Sequence, residues 1–471
     1  YLVIGGSSAS LVRDIWMAWL VIFFEFLTFK LSKTSAECII LLLNLIYSHL
    51  QLFSIGFQLS YLLTFILIQS RGLSQLKIGL KMNLYSFPIV LWHTYQWNLL
   101  TWILTIAIIP FFEWLILPAV IIGSFFPWLS GIANLVLRAT TAVFNQLSVL
   151  PLTMTYGKPP LFLVIAAIII LNLTEVSWFK YEYQKISWSI LLLLYFVVAV
   201  MIHFPLFGEV VYFDIGQGDS TLVRTSFNKS ITLIDTGGKV SFTQEKWQQR
   251  HSKTNGETVV ANYLLSKGIS QIDDLFLTHQ DTDHIGNFPS IAKKITIKRV
   301  IIPAGMENNS NFIKRLKQAN ISRQKVLPVK TTDVSWIGNF KLLHPFIAGS
   351  GENKDSLAVW FKLAQLSFVI SGDLDQTGEK QVIKKFPNLR ADILKTGHHG
   401  SKTSTAKVYV TQLKPSLAVI SAGKNNRYGH PHRETLATLK TCGVPVASTI
   451  DHGMIKIRFS FWGPQLIFSK K

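Results

Sequence analysis

The sequence predicts two structural classes in one chain: a polytopic α-helical membrane domain over residues 1–207, then an α/β domain over residues 208–471. Three observations support this. The chain has 471 residues, 49% of them apolar, and a positive mean hydropathy, so more than one domain is expected. Long apolar segments end near Phe207, and shorter strand-like and helix-like runs alternate beyond it. Clusters of histidine and aspartate follow several of those strands.

Seven apolar segments are candidate membrane spans, because several reach the roughly 20 residues that cross a bilayer. They cover residues 11–29, 37–48, 52–68, 84–103, 104–126, 160–173 and 186–204. Shorter segments fit as tilted, broken or re-entrant helices, and Pro110 and Pro118 are natural breaks. The alternative is a large soluble helical domain, but runs such as Leu161–Leu173 carry no charge at all.

Polar residues inside these apolar segments need partners or water at membrane depth. Gln58, Ser60, His93, Thr94 and Gln96 are of this kind, and they either line a pore or form hydrogen bonds between helices. Residues 132–150 have helical apolar spacing with polar residues on the other side, which predicts an amphipathic interfacial helix. The distribution of lysine and arginine between the loops leaves the orientation of the spans open.

The charge and cysteine content bound the class of protein further. A formal charge of +20 is expected for a chain that contacts polyanions or an anionic membrane surface. Cys38 and Cys442 lie far apart, so they form neither a disulfide framework nor a cysteine zinc site. The chain starts at Tyr1 with residues typical of the middle of a protein, and we expect it to lack an N-terminal portion.

In the second half, strands and helices alternate as in an α/β domain with one core. The predicted strands are 210–214, 220–225, 230–234, 275–277, 356–363, 365–371, 391–394, 417–421, 444–449 and 454–460. The predicted helices are 258–267, 285–291, 376–385, 405–413 and 433–441.

Four potential ligands follow the strand at 275–277: His279, Asp281, Asp283 and His284. A loop that leaves a strand end can direct several side chains into one small volume, as a metal site requires. Imidazole and carboxylate together suit zinc, manganese or iron, or magnesium where oxygens dominate. The alternative is a solvated polar loop, but four such residues within six positions favour a metal site.

Three later clusters also lie at strand ends. Asp373 closes the apolar run 366–370, and a carboxylate there can bridge two cations. The loop 396–404 contains His398, His399, Ser401 and Lys402, which suit phosphate binding, proton donation or ligation. The loop 426–432 adds His430, His432 and Arg427. Asp214, Asp219 and Asp235 are interpreted as turn residues or residues behind the ligands, with Asp235 the best candidate to orient a histidine.

Three motifs occur in the order typical of the metallo-β-lactamase fold, and the chain resembles that fold, which is an αββα sandwich. They are Ile-Asp-Thr-Gly at 234–237, His-x-Asp-x-Asp-His at 279–284 and Ser-Gly-Asp-Leu at 371–374. The motifs at 213–220, 398–401 and 427–432, with Phe-Gln-Leu-Ser at 57–60, more closely resemble the ComEC-type DNA-internalisation (competence) proteins. The resemblance covers nearly the whole chain. It implies a multi-pass protein of the bacterial plasma membrane that passes one DNA strand through a channel. It also implies a nuclease domain on the outer face that degrades the other strand, and other competence proteins as partners. A homodimer is a further assembly that we expect.

The resemblance implies a metal site formed by His279, Asp281, Asp283, His284, Asp373 and His430, with one or two divalent cations. Asp281 replaces the usual second histidine, and a further histidine is missing near Asp355-Ser356. This oxygen-rich set favours Mn²⁺ or Mg²⁺, with Zn²⁺ as the alternative. The catalytic candidates are Asp283, then His399 or else His398 at the leaving oxygen, and Lys402 at phosphate.

Two alternatives to this function stay open at this point. In the first alternative, the chain is a DNA channel whose globular domain only binds DNA. In the second, it is a membrane-anchored hydrolase of another ester, such as a lipid, nucleotide or cell-wall ester.

Overall fold

The computed structural model describes residues 9–70, 72–149, 152–173, 181–239 and 253–470. The chain divides into two compact units, Tyr1–Ala199 and Val200–Lys471.

The first unit is helical. Its α-helices are α1 (Ala9–Phe26), α2 (Lys33–Tyr47), α3 (Ile55–Gln69), α4 (Gln75–Thr94), α5 (Leu100–Phe111), α6 (Leu117–Phe125), α7 (Ser130–Val149), α8 (Leu161–Leu173) and α9 (Tyr181–His203), the last continuing into the second unit. Strands β1 (Gln96–Asn98) and β2 (Thr153–Thr155) form an antiparallel pair.

The span predicted over residues 84–103 is wrong as a single helix. Helix α4 ends where Tyr95 adopts a left-handed conformation, and β1 follows before α5 begins. The prolines do not separate α5 from α6, because a π-helical turn at Phe112–Ile116 joins them. Residues 132–150 were predicted as a helix, and α7 confirms this over its described length.

Among the described residues, Tyr181–His203 is the one helix both long and apolar enough to cross a membrane. Ile55–Gln69, Phe112–Phe125 and Leu161–Leu173 are apolar but shorter.

Two of the polar residues inside apolar segments contact each other. Nε2 of His93 on α4 lies 3.0 Å from Oε1 of Gln58 on α3, within hydrogen-bond distance. From the sequence, these polar residues were expected either to line a pore or to form hydrogen bonds between helices, and this contact is of the second kind.

The second unit contains two large sheets. Its α-helices are α10 (Asn262–Ser266), α11 (Thr282–Ile285), α12 (Phe288–Ala292), α13 (Ser310–Gln318), α14 (Gln376–Lys385), α15 (Lys407–Leu413), α16 (Arg433–Thr441) and α17 (Thr449–His452). An eight-stranded sheet is formed by β3 (Glu209–Tyr212), β4 (Thr221–Arg224), β5 (Ile231–Ile234), β6 (Gln271–Phe276), β7 (Thr296–Pro303), β8 (Val326–Val329), β16 (Ile455–Ser460) and β17 (Gly463–Phe468). A seven-stranded sheet is formed by β9 (Trp336–Ile337), β10 (Phe340–His344), β11 (Ala358–Leu363), β12 (Leu366–Ile370), β13 (Ile393–Lys395), β14 (Leu417–Ile420) and β15 (Val446–Ser448).

The order of the strands explains where the site can form. In the first sheet the order is β17-β16-β3-β4-β5-β6-β7-β8, with β5 to β8 parallel. In the second the order is β15-β14-β13-β12-β11-β10-β9, with β12 to β15 parallel. Parallel strands end at the same edge of a sheet, so the loops after β12, β13 and β14 lie side by side.

The two sheets pack face to face over an apolar core. Side chains such as Tyr212, Phe276 and Ile301 of the first sheet meet Phe340, Phe361 and Phe368 of the second, all buried. On the outer face of the second sheet, Val369 and Leu394 pack against three helices, α14 (Gln376–Lys385), α15 (Lys407–Leu413) and α16 (Arg433–Thr441). The predicted α/β sandwich of the metallo-β-lactamase type is therefore confirmed.

Candidate metal centre

Three strand ends supply most of the side chains of the site. His279 follows β6, Asp373 follows β12, and His398 and His399 follow β13 in the turn Gly397–Gly400. The short helix α11 (Thr282–Ile285) carries Asp283 and His284 back toward the same place. Donor atoms from Asp219, His284, Asp373 and His399 all lie within 4.8 Å of one another, and all four side chains are buried.

The three innermost imidazoles are each held at Nδ1 by a neighbour. Nδ1 of His284 lies 2.8 Å from Oδ2 of Asp235. Nδ1 of His279 lies 3.0 Å from Oγ1 of Thr278, and Nδ1 of His399 lies 3.0 Å from the carbonyl oxygen of Ser421. Hydrogen bonds at one ring nitrogen fix the tautomer and aim the other nitrogen, as is usual for metal-binding histidines.

The opposite nitrogens converge on one carboxylate. The Nε2 atoms of His279, His284 and His399 lie 3.7, 3.2 and 3.7 Å from the carboxylate oxygens of Asp373. Nε2 of His279, Nε2 of His284 and Oδ1 of Asp373 are buried, and among the residues that the structure describes they have no hydrogen-bond partner. Buried polar atoms without partners are costly, and a shared divalent cation would satisfy all three. The residues present therefore fit a metal ion.

Charges within the cluster shift the pKa values of Asp373, His284 and His399. Burial alone would raise the pKa of Asp373, but His284 and His399 hold it well below its ordinary value. Burial alone would lower the pKa of His284, but Asp373 and Asp235 raise it well above normal. In the same way, Asp373 and Asp219 overcome burial and raise the pKa of His399 to about 10. Protons on the imidazoles thus balance the carboxylates, and a bound cation would displace them.

Asp219 and Lys395 form a buried pair behind His399, and the sequence did not identify the lysine. Oδ1 of Asp219 lies 3.2 Å from Nδ1 of His399, and Oδ2 accepts a hydrogen bond from Nζ of Lys395. Both side chains are almost completely buried. From the sequence we interpreted Asp219 as a turn residue or a residue behind the ligands, and we did not select Lys395. The lysine lies within the apolar strand β13, and this position was its only signal.

Two glycines bring the loops close enough for this geometry. Gly218 has a φ of +118°, and a Cβ there would lie 2.2 Å from the carbonyl oxygen of Asp283. Gly372 has a φ of +53°, and a Cβ there would lie 2.7 Å from Cβ of Thr278. A side chain at Gly218 would push the loop of Asp219 away from Asp283. A side chain at Gly372 would push Asp373 away from Thr278, which follows β6.

The other predicted site residues lie around this centre. Oδ2 of Asp283 is 3.2 Å from Nε2 of His399, and this neighbour overcomes burial and lowers the pKa of Asp283 to about 2. The side chain of Asp281 is 48% exposed, with Oδ2 3.7 Å from Nε2 of His279. His398 is 29% exposed, and its Nε2 lies 3.7 Å from Oδ2 of Asp373.

His430 and Lys402 lie further out. The ring centroid of His430 is 5.5 Å from that of His398 and 6.0 Å from that of His399, and its buried Nδ1 has no partner. Burial lowers the pKa of His430 to about 4. Lys402 is exposed on the loop after β13.

The sandwich and the buried histidine–aspartate centre define the second unit as a domain of the metallo-beta-lactamase superfamily, whose family model matches residues 213–424. The family model described as "Competence protein" matches residues 1–204. The two family models together match most of the chain, in agreement with the resemblance to the ComEC-type competence proteins.

Named relatives agree with this assignment. The chain is 32% identical to ComE operon protein 3 of Bacillus subtilis over 98% of its own length and 62% of that protein. It is 27% identical to Competence protein ComA of Neisseria gonorrhoeae, over 72% of this chain and 45% of that protein. The chain thus spans roughly half to three-fifths of the length of these two relatives. Among solved structures, the metallo-beta-lactamase fold protein YhfI from Bacillus subtilis matches 53% of this chain and 99% of its own, at 11% identity and a TM-score of 0.33.

Proposed function

We propose that this chain takes part in DNA uptake during natural transformation, with a metal-dependent phosphodiesterase in residues 208–471 and a single-strand DNA channel in residues 1–207. The match of residues 1–204 to the competence-protein family model, and the similarity to ComE operon protein 3, support DNA handling at a membrane. The observation that carries the enzymatic part is the convergence of three Nε2 atoms on Asp373, with buried donor atoms left without partners.

The proposed ligands are His279, His284, His399 and Asp373, with Asp283 beside them and Asp281 and His430 at the margin. Three imidazoles make the centre richer in nitrogen than the sequence suggested, so Mn²⁺ and Zn²⁺ fit better than Mg²⁺. A divalent cation bound here would lower the pKa of a bound water and polarise a phosphoryl oxygen.

The chain's own groups have separable roles in this proposal. His399 is completely buried with both nitrogens engaged, so we assign it to ligation rather than to the leaving oxygen. His398 is partly exposed at the mouth of the centre, and its imidazole is the better hydrogen-bond donor to the leaving oxygen. Lys402 and Arg427 are exposed on the two adjacent loops and would hold substrate phosphates.

The multi-pass arrangement of residues 1–207, its plasma-membrane location and the outer-face position of residues 208–471 are parts of the same proposal. The apolar helices α3, α8 and α9 support it, and so does the half-buried pair Gln58 and His93. Other competence proteins and a second copy of the chain are proposed partners.

The experiment that tests the enzymatic proposal uses residues 208–471. The buried members of the two described apolar cores all lie between residues 210 and 459, and Phe207 only packs against the edge of one of them. The fragment is incubated with labelled linear DNA, with and without Mn²⁺, Mg²⁺ or Zn²⁺. We expect metal-dependent cleavage by the parent fragment and none by Asp283→Ala. Full activity of Asp283→Ala would contradict the assignment, and DNA binding without cleavage by the parent would favour a binding domain.

A further inference from the structure

A groove of about 620 Å³ lies on the outer face of the seven-stranded sheet, apart from the metal centre. It is lined by Trp336, Lys341, Trp360, Lys362, Lys385 and Arg390, among others. The groove borders the start of β12, near Ser367, whereas Asp373 follows the end of that strand. From Ser367 to Ile370, the end of the strand, the extended chain covers about 10 Å, and Asp373 lies three residues further on.

The strand register places aromatic and basic side chains side by side. Lys341 on β10 is opposite Trp336 of β9 on one side and opposite Trp360 of β11 on the other. All three therefore project from the same face of the sheet. Lys362 lies two residues after Trp360 and shares this face.

The two indoles stand nearly perpendicular, at 84° with ring centroids 6.1 Å apart. Trp336 is 49% exposed on the edge strand. Trp360 is half-buried and donates a hydrogen bond from Nε1 to the carbonyl oxygen of Arg390 at 2.8 Å, which fixes its orientation. A fixed, half-buried indole beside an exposed one offers ready-made π surfaces at little conformational cost.

The charge of the groove is strongly positive. Its four cations are Lys341, Lys362, Lys385 and Arg390, and within the described part of the chain none of them lies within ion-pair distance of a carboxylate. The one carboxylate of the lining, Asp392, is engaged at Oδ2 by the backbone N–H and hydroxyl of Ser367. Nζ of Lys341 stacks over the ring of Phe386 at 4.7 Å.

We propose that this groove binds single-stranded nucleic acid, with bases against the indoles and phosphates against the four cations. Stacking platforms set among cations along a groove are the general chemistry of single-strand binding. A duplex cannot use this surface in the same way, because its base faces are stacked inside the helix. A lipid surface would need apolar side chains that protrude, whereas Trp360 and Phe386 are recessed in the lining. The proposal does not depend on nuclease activity at the metal centre.

The test measures binding of a fluorescein-labelled oligothymidylate to the full detergent-solubilised chain by fluorescence anisotropy, in EDTA so that no cleavage occurs. Trp336→Ala should weaken binding about 5- to 100-fold, because it removes a stacking surface. Trp336→Phe should recover most of the affinity, since it restores a π face. Lys362→Ala/Lys385→Ala should reduce the slope of log affinity against log salt by about 1.4, at about 0.7 for each phosphate contact on a single strand.

Matched controls come from other exposed positions of the same unit. Trp462→Ala, at a side chain 93% exposed, and Lys314→Ala/Lys317→Ala, on the exposed side of α13 (Ser310–Gln318), should bind like the parent. Unchanged binding and salt slope in the groove variants would overturn the proposal. It would also be overturned if short-chain phosphatidylglycerol, titrated in parallel, lost binding in the groove variants while oligothymidylate did not. In that case the groove is a headgroup site.

Discussion

Replacing Asp235 with asparagine should weaken divalent-metal binding without unfolding the domain. The Asp235 carboxylate is buried and engages the backbone N–H of Thr278 at 2.8 Å, the Thr278 hydroxyl at 2.7 Å and Nδ1 of His284 at 2.8 Å. An asparagine whose carbonyl oxygen keeps the backbone bond turns its NH₂ group toward Nδ1 of His284. The imidazole proton then moves to Nε2, and the lone pair needed for the metal is lost.

The expected loss is about 10- to 100-fold in metal affinity, which corresponds to about 1.4–2.7 kcal/mol. Calorimetric titration of residues 208–471 with Mn²⁺ measures it, and circular dichroism checks the fold. Asp333→Asn is the control, because Asp333 is 60% exposed in an ion pair with Lys330. Equal affinity of Asp235→Asn and the parent would refute the reasoning that His284 binds metal through Nε2.

Three more predictions concern buried or catalytic groups. Lys395→Met should destabilise the fold by about 3–5 kcal/mol in chemical denaturation, because it leaves the buried Asp219 charged without its lysine partner, and Lys395→Met/Asp219→Asn should recover part of this loss. Glu379→Gln should flatten the dependence of unfolding free energy on pH. Burial raises the pKa of Glu379 to about 8 from an unfolded value of 4.5. The stability that this group contributes below pH 4.5 is therefore lost as the pH rises toward 8, at about 1.4 kcal/mol per pH unit. His398→Gln should lower kcat for DNA cleavage about 10²- to 10⁴-fold and leave Mn²⁺ affinity unchanged.

Each of these has an outcome that contradicts it. A Lys395→Met domain as stable as the parent would mean that the buried pair contributes nothing. A pH dependence unchanged in Glu379→Gln would place the titrating group elsewhere. Loss of Mn²⁺ affinity in His398→Gln would make that histidine a ligand rather than a proton donor.

Much of the sandwich could be predicted because buried strands leave a clear pattern. The strands β12 and β14 are short apolar runs bounded by turn residues, and both were predicted near their observed positions. Strand β7 was not predicted, because its first half exposes Lys298 and Arg299 and hides the pattern. The short β9 and the exposed β17 also lack an apolar face long enough to recognise.

The residues of the candidate site also differ in whether a local sequence pattern reveals them. The motif at 279–284 and Asp373 were identifiable because ligand-type residues follow apolar strands directly. Asp219 and Lys395 were not, because their roles depend on a contact across 176 positions of the chain, and no local pattern encodes it. The role of His399 changed for a related reason, since its complete burial arises from the packing of the loop after β14 at Ser421.

The sequence could not establish how the apolar segments of the first half are divided. Hydropathy marks apolar stretches but not the residues where a helix stops. Tyr95 ends α4 in a left-handed conformation inside a stretch that reads as continuous.

The most direct test of the central claim is anomalous diffraction from crystals of residues 208–471 soaked in Mn²⁺. We predict an anomalous peak between His279, His284, His399 and Asp373. The peak should lie within about 2.3 Å of the Nε2 atoms of the histidines and of a carboxylate oxygen of the aspartate. A well-ordered site with no peak there, in crystals that bind Mn²⁺ elsewhere, would contradict it.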